Sequence, residues 1–197
     1  MNYLQKAEKE YEKSLVHFLK SNNAGNIGTS HVYLGMMKFE LGNYEDSLKQ
    51  YRMGELFYIE ADNQAGLSSI YNNAGNVYKE LADFSSALTS YQKGLDICMK
   101  INRKSTMATL FINMGSIQFA LEYYENANEY FEQAVKIHDE LGNESLVGHC
   151  YINLGSSYFM MKDYEQAEIH YNLALKIFSD KDDEVNMMSC YTSIGEL

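Results

Sequence analysis

Proline and tryptophan are both absent from the chain. Most folds rich in turns use proline to fix them, so its absence points to an all-helical chain with short glycine and asparagine turns. Positive charge is scarce: 16 lysines and arginines stand against 27 acidic residues, a net charge of −11. The acidity is uneven, −3 over residues 1–98 and −8 over 99–197. A protein that reads a nucleic-acid backbone needs a basic stripe, and none is present. The acidity itself favours solubility and a basic partner. Only three cysteines occur (Cys98, Cys150, Cys190), without metal-ligand spacing and without an even disulfide set. Buried free thiols in a reducing compartment are the expectation. No apolar run approaches the roughly 18 residues of a membrane span. The opening MNYLQKAEKEYEK is too polar for a secretory signal. The reading is therefore cytoplasmic, with neither membrane nor nucleic acid as partner.

What the chain has is tyrosine, 17 of them, and a strict internal beat. Glycines stand in even steps at Gly35, Gly75, Gly115, Gly155 and Gly195, a period of 40. Four residues before them come His31, Tyr71, Phe111, Tyr151 and Tyr191. Twelve after each of the first four comes Ser47, Ala87, Ala127 or Ala167, and sixteen after comes Tyr51, Tyr91, Phe131 or Tyr171. Agreement at this many positions marks a repeat protein. One period before Ser47 and Tyr51 stand Ala7 and Tyr11, so the chain opens inside a repeat.

Each period reads as two helices. Ile70, Tyr71, Ala74, Val77, Tyr78 and Leu81 recur at three- and four-residue spacing; Ala82-Asp83 turns the chain; Phe84, Leu88, Tyr91, Leu95 and Cys98 form a second stripe. A lone pair of this kind cannot bury its apolar face, so pairs must stack. The pairing of Gly75 with Ala87 is expected to let two backbones approach, and the Tyr91 position to fill the groove between successive units. The expected organisation is one solenoid over 1–197: a half repeat at 1–22, repeats over about 24–63, 64–103, 104–143 and 144–183, and a half repeat at 184–197. The chain reads as a fragment of a longer protein, with an apolar terminal helix open to self-association.

Tyr151, Leu154-Gly155, Tyr158, Ala167, Tyr171 and Ala174 resemble the tetratricopeptide repeat signature. The period of 40 in place of 34, and the missing closing proline, resemble the long-repeat branch that includes kinesin light chain, the Leu-Gly-Asn polarity adaptors and bacterial Rap regulators. The resemblance implies an all-α fold, a right-handed α-solenoid of antiparallel helix pairs (the TPR superhelix) with about ten helices. It also implies that the first helix of each pair lines a concave, peptide-binding groove.

Groove positions carried over from the family fall on Met36 and Phe39; on Asn72, Asn73, Asn76 and Lys79; on Asn113, Ser116 and Phe119; and on His149, Asn153, Ser156 and Phe159. Val32, Tyr33 and Ile152 are among the remaining positions of the same set. Asn73, Asn113 and Asn153 form a ladder. A carboxamide both donates and accepts, so it can bracket a peptide unit; in the resembled adaptors, asparagines here hold the main chain of an extended ligand. The alternative is that each bonds a neighbouring helix and fixes repeat geometry. The phenylalanines likewise read either as groove contacts or as core. Only Lys79 is basic among these positions, which argues against a ligand held by its C-terminal carboxylate.

No histidine pair has metal-binding spacing, and no phosphate loop or nucleophile elbow occurs. His31 and His138 occupy structural slots. The reading is a non-catalytic scaffold for a protein or peptide, without cofactor. The alternatives are a regulatory sensor segment of a signalling protein and a homodimerising module.

Overall fold

The computed structural model describes residues 3–21 and 23–197, without the side chains at 3–5, 7, 8, 15 and 21, so the expected place of Ala7 in the repeat lies outside the described residues. Ten α-helices and no strand are present among the described residues: α1 Tyr3–Ser21, α2 Ala24–Glu40, α3 Tyr44–Glu60, α4 Gln64–Glu80, α5 Phe84–Lys100, α6 Lys104–Ala120, α7 Tyr124–Glu140, α8 Glu144–Met160, α9 Tyr164–Ser179 and α10 Glu184–Gly195. The helices fall into two compact units, α1–α5 over Met1–Arg103 and α6–α10 over Lys104–Leu197. Within each unit every helix packs on the next, as in an all-α solenoid of helix pairs.

The joints explain how the chain does without proline. From α2 to α8 the helices are all of one length, 17 residues. Each is followed by a link of three. The middle residue of these seven links is always left-handed: Gly42 (φ 74°), Asp62 (48°), Ala82 (57°), Asn102 (53°), Glu122 (63°), Gly142 (69°) and Lys162 (62°); in the four-residue link after α9 it is the third, Asp182 (54°). That conformation closes a double hydrogen-bonded helix end. At the first joint the Gly42 N–H donates to the Phe39 carbonyl and the Asn43 N–H to the Lys38 carbonyl, both at 2.8 Å. At four joints the last link residue also caps the next helix with its side chain. Asn63, Asp83, Asp163 and Asp183 each accept a backbone N–H three residues on, at 2.9–3.2 Å. One tripeptide thus both stops a helix and starts its successor.

Packing inside a pair rests on glycine against aromatic ring. A methyl built on Gly75 would sit 2.3 Å from the Tyr91 ring; on Gly35 it would sit 2.5 Å from Tyr51, on Gly115 2.7 Å from Phe131 and on Gly155 2.6 Å from Tyr171. These rings are buried. Each lies on the glycine of its own pair, and Tyr51 and Phe131 also share a core cluster with the following pair, with Ile70 and Val77 of α4 and with Leu154 of α8. The close approach expected at Gly35 and Ser47 is present, where the buried Ser47 hydroxyl donates to the Gly35 carbonyl at 2.8 Å.

A second glycine lane was not legible in the same way. A methyl on Gly28 or Gly66 would strike Tyr58, and one on Gly148 would strike Phe178. In sequence register, Gly28, Ser68, Ala108 and Gly148 stand opposite Tyr58, Cys98, His138 and Phe178. The largest residues, Tyr58 and Phe178, meet glycines, and the smaller Cys98 and His138 share the register of serine and alanine, a pattern that conserves volume. All three cysteines are free and buried, and burial pushes the Cys150 thiol up to about 12, which keeps it a protonated apolar side chain.

Candidate functional site

In unit one, α2 and α4 bring four of the expected residues together. Met36, Phe39, Asn73 and Asn76, with Glu40 and Tyr51, surround a cleft of about 140 Å³. Met36 is 38% exposed, while Phe39, Asn73 and Asn76 are half-buried. The carbonyl oxygen of Asn76 accepts the Tyr91 hydroxyl at 2.7 Å, so this side chain also anchors a buried ring. The Asn73 carboxamide, by contrast, has no hydrogen bond among the described residues. Asn72 and Lys79 are half-buried on the same helix. Val32, expected to be exposed, is buried in one core cluster with Leu48 and Tyr51, facing Gly54 of α3.

In unit two, Asn113 and Ser116 are half-buried on α6, and Asn153 and Ser156 on α8. The Asn153 carboxamide has no hydrogen bond among the described residues. Both serine hydroxyls are turned inward along their helices: Ser116 donates to the Ile112 carbonyl at 2.8 Å and Ser156 to Ile152 at 2.9 Å. Ser156 also takes the Tyr171 hydroxyl at 3.3 Å, the counterpart of the Asn76–Tyr91 contact. That anchoring role was not legible because the ring position is not uniformly tyrosine, and Phe131 has no hydroxyl to place.

The three phenylalanines share one geometry. Phe39 meets Tyr44 at 5.6 Å, Phe119 meets Tyr124 edge-on at 5.4 Å, and Phe159 meets Tyr164 edge-on at 5.7 Å. Each therefore packs on the first residue of the following helix, and Phe39 also lines the unit-one cleft. His149 is exposed, with its ring 5.2 Å from Phe178. His31 is buried, stacked on Phe57 and hydrogen-bonded through Nδ1 to Gln50 at 2.8 Å. His138 is buried with Nδ1 unpartnered, and burial holds its pKa below the usual value. Among the described residues no cluster of three or more His, Cys, Asp or Glu side chains could hold a metal, and no helix is long and apolar enough to cross a membrane.

The helix pairs carry the repeat of a known family, whose sequence profile, tetratricopeptide repeat, matches residues 26–100 and 106–180. The chain belongs to the tetratricopeptide repeat family. No curated protein matches its sequence. Solved tetratricopeptide-like structures share the fold. BtubC (BKLC) from P. vanneervenii is 19% identical with a TM-score of 0.81, over 99% of this chain and 85% of that one. Aspartyl phosphate phosphatase F from Bacillus subtilis is 13% identical with a TM-score of 0.86, over 94% and 49%. A signal-transduction ATPase with a tetratricopeptide repeat sensor from Pyrococcus horikoshii is 20% identical with a TM-score of 0.79, over 93% and 29%. The chain therefore spans about half of the phosphatase and under a third of the ATPase.

Proposed function

We propose that this tetratricopeptide repeat chain is a non-catalytic scaffold whose first helices bind an extended peptide of another protein. Protein interaction is the general role of its family. The observation that carries the finer reading is the unit-one cleft, where Met36 and Phe39 supply adaptable apolar contact beside the Asn73 carboxamide. An amide that is half-buried and makes no bond of its own can pair with the donor and acceptor of a peptide unit without first breaking a contact. Asn153 offers the same chemistry in unit two.

The test is a pull-down from native lysate with wild-type protein and with Asn73→Ala/Asn113→Ala/Asn153→Ala, both matched for helicity and melting. The expected outcome is a partner retained by wild type and reduced at least about ten-fold by the triple variant. Equal retention would remove these asparagines from the binding surface.

A second reading, a sensor segment, is favoured by the likeness to the sensor-bearing ATPase. It expects the distance between fluorophores placed on α2 and α9 to change when the partner peptide binds; an unchanged distance would reject it.

A further inference from the structure

In unit two, α7, α8 and α9 enclose a cleft of about 350 Å³, within the size range of pockets that seat a ligand or an anchoring side chain. Its apolar lining is Val147 and Tyr151 of α8 and Leu173 and Ile177 of α9. At about 100° per residue, Val147 and Tyr151 point some 200° away from His149 and Asn153, so this face is separate from the groove positions. The rim is acidic. Asp139, Glu144 and Asp180 line it, against Lys176. Glu144 is paired with Lys181 at 2.8 Å, whereas Asp139 and Asp180 have no ion pair among the described residues.

Unit one shows what the same register does with different side chains. Two periods before Val135, Leu173 and Asp180 stand Glu55, Lys93 and Lys100. There the Tyr71 hydroxyl donates to Glu55, and the Lys93 ammonium lies 5.5 Å over the Tyr71 ring. This polar bridge ties α3 and α5 to Tyr71 of α4. Val135 and Leu173 cannot form such a bridge with Tyr151. The replacement of Lys100 by Asp180, and of Ile59 by Asp139, turns the rim negative at the same time. Loss of the bridge and gain of negative charge thus coincide in unit two.

We propose that this cleft is a second binding site, for a protein segment that presents a large apolar side chain flanked by lysine or arginine. The apolar side chain displaces water from Tyr151, Leu173 and Ile177. The flanking cations meet Asp139 and Asp180, giving charge complementarity at the rim. Because the face is separate, the segment and a groove peptide can be bound together.

The experiment is selection of a phage-displayed library of random dodecapeptides on the full chain. Selected peptides are then titrated against Leu173→Lys, Asp139→Asn/Asp180→Asn and Asn113→Ala/Asn153→Ala. Leu173 is 40% exposed, and lysine already stands at its counterpart, so the first variant preserves the fold; the second changes only surface charge. Expected are peptides that combine an apolar residue with Lys or Arg. They should bind each of the first two variants at least about ten-fold more weakly and the asparagine variant unchanged. No enrichment, enrichment of acidic or uncharged peptides, undiminished binding to Leu173→Lys or to Asp139→Asn/Asp180→Asn, or loss only in the asparagine variant would each overturn the proposal.

Discussion

Six joints place a residue other than glycine in the left-handed region, and Ala82, Glu122 and Lys162 lack even the local side-chain bonding that eases asparagine and aspartate there. The cost in the folded state is about 1 kcal/mol or more per position, partly offset because glycine loses more entropy on folding. Glu122→Gly should therefore stabilise the chain by about 0.5–1 kcal/mol, seen as a higher urea midpoint at unchanged slope. Gly142→Ala should do the reverse by a similar amount. His138 gives a pH signature. Its folded pKa lies below the unfolded value of about 6.5, so the unfolded chain binds the proton more tightly. The stability linked to neutral His138 is present above pH ~6.5 and is lost as pH falls below it, by at most about 1.4 kcal/mol per pH unit. Melting of wild type and His138→Cys, which copies Cys98, should diverge between pH 7 and 5; parallel curves would exclude His138 as the cause.

At the scale of the element, Gly75→Ala sets two effects against each other. Alanine gains about 1 kcal/mol in helix propensity. Yet the new methyl would lie 2.3 Å from a ring that is wholly buried and hydrogen-bonded to Asn76. Overpacking of this kind costs about 1–3 kcal/mol, so the net change is destabilising; a thermal melt should shift down, and an unchanged or raised midpoint would show that the ring moves freely. Helix pairs were legible because the beat of the repeat falls on residues whose identity packing restricts, Gly75 and Tyr91 among them. The joints were harder to read. They recur at half that period, but Gly42, Asp62, Ala82 and Asn102 share a backbone angle and not a chemistry. The second glycine lane did leave a signal, small residues at Gly28, Ser68, Ala108 and Gly148, visible only when set against Tyr58, Cys98, His138 and Phe178. The unit-two cleft left none, because it depends on how far side chains reach across a gap.

For the whole molecule, stacked pairs couple mainly to their neighbours. Gly155→Ala should raise hydrogen exchange across α8 and α9 and leave α2 and α3 at wild-type rates. Uniform acceleration would show a single cooperative unit instead. The candidate groove was legible only as far as family register carries it. Placement of Asn73 beside Met36 and Phe39 follows that register, while the use of Asn76 and Ser156 to hold tyrosine hydroxyls depends on which rings happen to be tyrosine.

The tripeptide joint also sets how such a chain can grow or shrink. The seven three-residue joints share one left-handed middle residue, so removing one helix together with such a joint would leave each remaining turn intact. It would also exchange the parity of every helix beyond the cut, setting glycine lanes against glycine lanes and rings against rings. Removing a whole pair keeps both the turns and the parity. The joints accept any even or odd number of helices, and the lanes accept only pairs, so insertions and losses are tolerated in whole pairs even though nothing in the turns themselves records which helix is first and which is second.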